Sequence, residues 1–133
     1  MGWRGHRAAD GTGGQSVIEL AFVAPILILI FAGVVDFGRL YHAYVAATNA
    51  ARVGAEYASD PLKSDGDVRA VVQREASPAV TLGSIAISPS PRTSGSQVQI
   101  GVTYVFSPYT PLVSSFWGGG SLPLVATATA RVY

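Results

Sequence analysis

A single carboxylate, Glu19, stands at the head of the chain's longest apolar run, Val17-Ile18-Glu19-Leu20-Ala21-Phe22-Val23-Ala24-Pro25 and on to Val35. The run holds about 19 residues with no other charge, enough for a membrane-spanning helix. An ionisable side chain in such a segment costs about 2.5–3.5 kcal/mol at mid-bilayer and less near its edge. A chain that needed only an anchor has little reason to keep it, so Glu19 reads first as a functional group. The plainer alternative is a carboxylate resting among lipid headgroups at the start of the helix.

Little else in the sequence has the form of a chemical site. His6 and His42 are far apart, and no Ser/His/Asp arrangement or metal-ligand spacing accompanies them. The absence of cysteine excludes a disulfide framework, a Cys-ligated zinc and a thiol nucleophile. Gly118-Gly119-Gly120 lacks the Lys-Ser/Thr and helix start of a phosphate loop, and reads as a link. Asp65 and Asp67 resemble a fragment of a calcium loop without its bidentate Glu, and fit helix capping better. The expectation is therefore no enzyme activity, catalytic residue, metal, cofactor or small-molecule substrate. Leu112, Val113, Phe116 and Trp117 form an apolar cluster in a loop. It either tucks onto the domain's own core or offers Phe116 and Trp117 as a contact for a partner or for the membrane surface.

Composition agrees with an anchored domain. Apolar residues make up 49% and charged residues 13%, against about 25% charged in ordinary soluble domains. A formal net charge of +1 gives no nucleic-acid footprint and no acidic tail. Arg4 and Arg7 precede the apolar run, so the positive-inside tendency places the N-terminus in the cytoplasm and the bulk of the chain outside. A cleaved secretory signal would have an apolar core of about 7–15 residues, shorter than this one. The expected organisation is a leader or cytoplasmic arm over 1–14, a transmembrane helix over 15–36 and an extracytoplasmic domain over 37–133.

The elements that must position these residues follow from the hydropathy pattern. Residues 16–58 read as one long helix of roughly 64 Å, twice the hydrocarbon thickness, so its second half stands outside the membrane. Pro25 should bend or loosen the first half, with Gly33 and Gly38 weakening the junction. In the second half, Phe37, Leu40, Tyr41, Tyr44, Val45, Thr48, Ala51 and Ala55 share one helical face, which predicts the packed side. Asp60-Pro61 stops the helix. Ser64 and Asp67 form a capping box for a short helix carrying Val68, Val71, Val72 and Ala76, ended at Ser77-Pro78. The period then changes to two. Ile85 and Ile87 mark one strand, Gln97 to Phe106 a second and Val125 to Tyr133 a third, with a turn cluster over 88–96 and an irregular link over 107–120. A long helix, a short helix and a small antiparallel sheet make an α+β fold.

Three blocks, Gly14-Gln15-Ser16-Val17-Ile18-Glu19-Leu20-Ala21-Phe22-Val23-Ala24-Pro25, Val35-Asp36-Phe37-Gly38-Arg39 and Thr48-Asn49-Ala50-Ala51-Arg52-Val53-Gly54-Ala55, resemble the TadE-like family in their order. These are pseudopilins or minor pilins of tight-adherence (Flp-type) pilus systems. The resemblance implies a pilin-like fold, and cleavage by a prepilin peptidase between Gly14 and Gln15. It also implies that Glu19, the fifth residue of the mature chain, pairs with the new N-terminus of a neighbouring subunit and so serves assembly. Pro25, Asp36, Phe37, Gly38, Arg39, Asn49, Arg52 and Gly54 carry the family pattern. The implied partners are the lipid membrane, other pilins or pseudopilins, the tight-adherence assembly machinery and the prepilin peptidase, with no nucleic acid. The implied location is the bacterial cytoplasmic membrane, single pass, or a pilus after processing. Leu20 departs from the aromatic that often follows the glutamate in Flp-type prepilins. Two other functions stay open on the residues: an anchored extracytoplasmic binding domain without a pilus role, and a membrane-anchored enzyme accessory.

Overall fold

The computed structural model describes residues 12–116, 118 and 120–133, without the side chains of residues 12, 13, 112, 113 and 116. The elements run α1 (Thr12–Ala58), α2 (Asp65–Ala76), β1 (Leu82–Ser88), β2 (Gln97–Phe106), α3 (Pro111–Phe116) and β3 (Leu122–Arg131). The strands form an antiparallel meander in the order β1-β2-β3, with a bulge between Leu82 and Ser84. The fold is α+β, as the change of period from helical to alternating implies.

α1 is one unbroken helix of 47 residues that continues through Pro25. Among the described residues, the helix meets the rest of the chain from about Gly33 and Asp36 onward. The apolar half stands clear, with Phe22 74% and Phe31 70% exposed.

The packed face of the second half overlaps only partly with the one the apolar spacing marks: Ala51 and Ala55 of that face are buried, its aromatics are not. Ala47, Ala50, Ala51, Ala55 and Ala58 are buried, whereas Phe37, Tyr41, Tyr44 and Val45 face outward. Both faces of this helix are apolar, so periodicity finds a stripe without saying which stripe meets the sheet. Side-chain size decides it. A row of alanines lets the helix lie close to Val98, Ile100 and Val102 of β2 and to Val68 and Val72 of α2, all fully buried. The β2 face Val98, Ile100, Val102, Tyr104 and Phe106 is buried as its alternation predicts.

Local chemistry fixes the short elements. At α2 the Ser64 hydroxyl accepts from the Asp67 amide at 3.1 Å, and Asp67 accepts from the Ser64 amide at 3.2 Å, a complete capping box. The Ser64 hydroxyl and amide hold the Asp67 carboxyl below its usual range. The expected irregular link over 107–120 contains α3. Pro111 takes its first position, where a missing N–H costs nothing, and the Ser114 and Ser115 hydroxyls both donate to the Pro111 carbonyl at 2.8 Å. The last strand begins at Leu122, three residues earlier than its alternation suggests, and pairs Leu122 with Phe106.

The 88–96 turn cluster hides a structural residue. Arg92, its side chain only 5% exposed, pairs with Asp65 at 3.3 Å. It donates to the carbonyls of Ala58, Asp60 and Lys63, tying the end of α1 to the turn before α2. Arg92→Ala leaves those acceptors without a donor and should cost about 2 kcal/mol, lowering the thermal midpoint of the full chain in detergent. Arg92→Lys should restore little of it, because an ammonium is no planar fork.

Candidate functional site

Two places on α1 carry the residues that the sequence singles out. The first is its head. Glu19 is exposed there, and Gln15 donates to it through Nε2 at 3.3 Å. The Gly14–Gln15 bond lies within the first turn of α1. A Cβ on Gly14 would meet nothing within 4 Å, so the fold itself has no need of glycine at that position. Two successive glycines, Gly13 and Gly14, do make this turn easy to unwind, at about 1 kcal/mol less per residue than alanine. The helix from Gly14 onward contains an 18-residue window of mean hydropathy 2.6, none of it buried. This one N-terminal apolar helix fits a single-pass membrane anchor.

The second place is the junction where the apolar run ends. Asp36 is buried, at 3% exposure, yet it lies one residue beyond Val35. Its Oδ1 accepts from the Tyr109 amide and its Oδ2 from the Thr110 amide, each at 2.9 Å. Arg39, one helical turn on, donates to Oδ1 at 3.3 Å. The Arg39 guanidinium also lies 3.5 Å from the Tyr109 ring centroid and 5.6 Å from that of Phe106, a cation–π arrangement. One carboxylate thus fastens the segment after β2 to the anchor helix.

Further along α1, Asn49 donates to Glu75 of α2 at 2.8 Å. A Cβ on Gly54 would lie 2.3 Å from Val72 Cγ2, so α1 and α2 cross where only glycine fits. The residues carrying the family resemblance therefore divide. Asp36, Arg39, Asn49 and Gly54 dock the domain on the helix. Glu19, Pro25, Phe37, Gly38 and Arg52 are exposed, and a Cβ on Gly38 would meet nothing within 4 Å. Trp117 and the Phe116 side chain, named as a contact for a partner, lie outside the described residues, as do Arg4 and Arg7.

Sequence reasoning did not anticipate Tyr109 and Thr110, whose amides meet Asp36 across 73 and 74 residues of chain. Backbone donors leave no trace in residue type; only Pro108 and Pro111 around them mark a shaped segment. Nor did it foresee Tyr104, whose buried hydroxyl has no hydrogen-bond partner among the described residues. Burial, with Tyr44 adding to it, pushes that hydroxyl's pKa up. Among the described residues no three His, Asp or Glu side chains come together to hold a metal.

The family model described as TadE-like protein matches residues 14–56. That span includes both ends of the pattern, from the Gly14–Glu19 head to the Gly54 crossing, and it supports a pseudopilin-type role associated with tight-adherence pili in general. No curated protein and no solved structure matches the chain.

Proposed function

We propose that this chain, TadE-like over residues 14–56, is a pseudopilin or minor pilin. It is anchored in the bacterial cytoplasmic membrane and serves as a structural component in assembling a tight-adherence (Flp type) pilus or a related secretion system. The observation that carries the proposal is the division of the pattern residues. Four are used inside the fold, while Glu19, Pro25, Phe37, Gly38 and Arg52 are exposed along α1. Side chains left exposed on the isolated subunit are available to a neighbouring one. In this role the chain is structural and no catalysis is assigned to it. Its N-terminus is cytoplasmic, its domain lies outside, and its partners are other pilins and the assembly machinery.

Processing supplies the first test. Co-expression with a cognate prepilin peptidase should yield a chain beginning at Gln15, seen by intact mass. Gly14→Ala should slow cleavage, because glycine lets the backbone enter the peptidase closely, while leaving the helical circular dichroism unchanged. A full-length mass with the active peptidase would count against the proposal.

Glu19 supplies the second. In the uncut chain its partner is the Gln15 side chain. Cleavage adds an α-amino group at Gln15, and a neighbouring copy of that amine offsets a carboxylate near the membrane edge. Glu19→Ala should still insert and still be cut after Gly14. It should lose co-purification with the other pilins and fail to restore piliation in a deletion strain. Full piliation by this variant would leave Glu19 as a headgroup-level carboxylate only.

A further inference from the structure

Two clefts flank Phe106 and Pro108 at the membrane junction, one above the other along α1. The lower, about 190 Å³, is almost wholly apolar and is lined by Gly33, Phe37, Leu40 and Leu122. The upper, about 390 Å³, is lined by Arg39, His42, Tyr104 and Tyr109. We propose that together they hold one phospholipid of the leaflet on the domain's side, its acyl chain in the lower cleft and its phosphate at Arg39 and His42. The proposal rests on α1 being the membrane anchor, and needs neither a pilus nor a second subunit.

The order of polarity along the helix is what selects a lipid. Gly33 lies inside the apolar run, so the lower cleft opens at the depth of acyl chains. Arg39 stands four residues beyond Val35, roughly 6 Å further along the axis. The headgroup layer on each side of a bilayer is roughly 5–7 Å thick, which brings the guanidinium to the level of the phosphates. Asp36, which lines the lower cleft, does not repel a lipid freely, because both its oxygens accept backbone amides and Oδ1 also receives Arg39. The surroundings are otherwise neutral, since no charged residue falls between Arg92 and Arg131. The segment that carries Phe106, Tyr109 and Leu122 therefore meets the interface without the cost of burying a charge. Tyr104 adds an independent sign. It lines the upper cleft, and its hydroxyl is buried without a partner among the described residues, an arrangement that a polar ligand atom or a water would complete.

The shared chemistry, a phosphate ester, could also come from a soluble metabolite, and the test separates the two. The full chain in neutral detergent micelles is titrated with phosphatidylglycerol and observed by native mass spectrometry, with glycerol phosphate as competitor. A single one-lipid adduct is expected, not displaced by equimolar glycerol phosphate. Arg39→Gln should weaken retention about fivefold, the loss expected for one cationic residue at an anionic headgroup, and His42→Gln, which removes a second polar contact, should weaken it as well. Gly33→Leu fills the lower cleft from a helical position where a Cβ meets nothing within 4 Å. It should reduce retention with unchanged helical circular dichroism, so its reading does not depend on a folding defect. Retention unaffected by Gly33→Leu and His42→Gln would mark the adduct as adventitious and overturn the proposal. Displacement by glycerol phosphate would overturn it too, leaving a phosphate site. Extraction of the protein from membranes by alkaline carbonate would instead remove the anchor on which it rests.

Discussion

Gly54→Leu should undock α2 from the anchor helix, with a loss of roughly 3 kcal/mol or more from overpacking. Even the first added carbon would sit 2.3 Å from Val72 Cγ2 and 3.6 Å from Ile100 Cγ2. Val72 cannot swing aside, since β-branching leaves a helical valine essentially one rotamer, and it is fully buried among Val68, Ala76 and β2. Alanine at this position gains up to about 1 kcal/mol of helix propensity, which offsets part of the clash, so Gly54→Ala should fall between the wild type and Gly54→Leu. Thermal unfolding of the full chain in detergent, followed in the β-sheet region of the circular dichroism spectrum, gives the order. Gly38→Ala is the control, because its Cβ enters open space; it should hold or raise the midpoint. Equal midpoints for Gly54→Leu and the wild type would show that α2 does not pack on Gly54.

The contrast between these two glycines shows what the sequence can and cannot express. Both lie in α1, and both fall within the segment that the TadE-like family model matches. Nothing local distinguishes the one under α2 from the one facing outward. Element types, the Ser64–Asp67 capping box and the buried face of β2 were legible, because each rests on interactions a few residues apart. The packed face of α1 was legible only in part, at Ala51 and Ala55, because alanines and aromatics are both apolar and the choice is made by how closely the sheet must approach. α3 has a local signal in Pro111 at its first position, but its six residues are too few to show a helical period. The head of the site, Gly14 to Glu19, was legible as a pattern only. Its chemistry lies between subunits or with a peptidase, and neither is encoded in the spacing of one chain. The junction was invisible for a different reason. Its donors are backbone amides more than seventy residues from their acceptor, so Asp36 looked like a simple end to the apolar run.

Asp36→Ala should release that junction, and its effect should be local before it is global. The substitution leaves the Tyr109 and Thr110 amides without their acceptor and Arg39 without its carboxylate. Two amides stripped of a charged partner, one on the buried Thr110, cost together about 3 kcal/mol. Hydrogen exchange followed by mass spectrometry on the detergent-solubilised full chain reads this directly. Exchange in a peptide spanning Tyr109 and Thr110 should accelerate about a hundredfold, as roughly 1.4 kcal/mol per decade implies, provided those amides exchange by local opening. Peptides from α2 and β1, which hold none of the hydrogen-bond partners of Asp36, should change far less. Asp36→Asn should fall between, because a carboxamide oxygen serves one amide while its NH2 faces the other. The membrane anchor should be untouched, since removing a charge at the end of an apolar run favours insertion. Unchanged protection at Tyr109 and Thr110 in the alanine variant would mean that the segment after β2 is held by its own strands. Asp36 would then be a neutralised remnant at the membrane edge and not the fastening between domain and anchor.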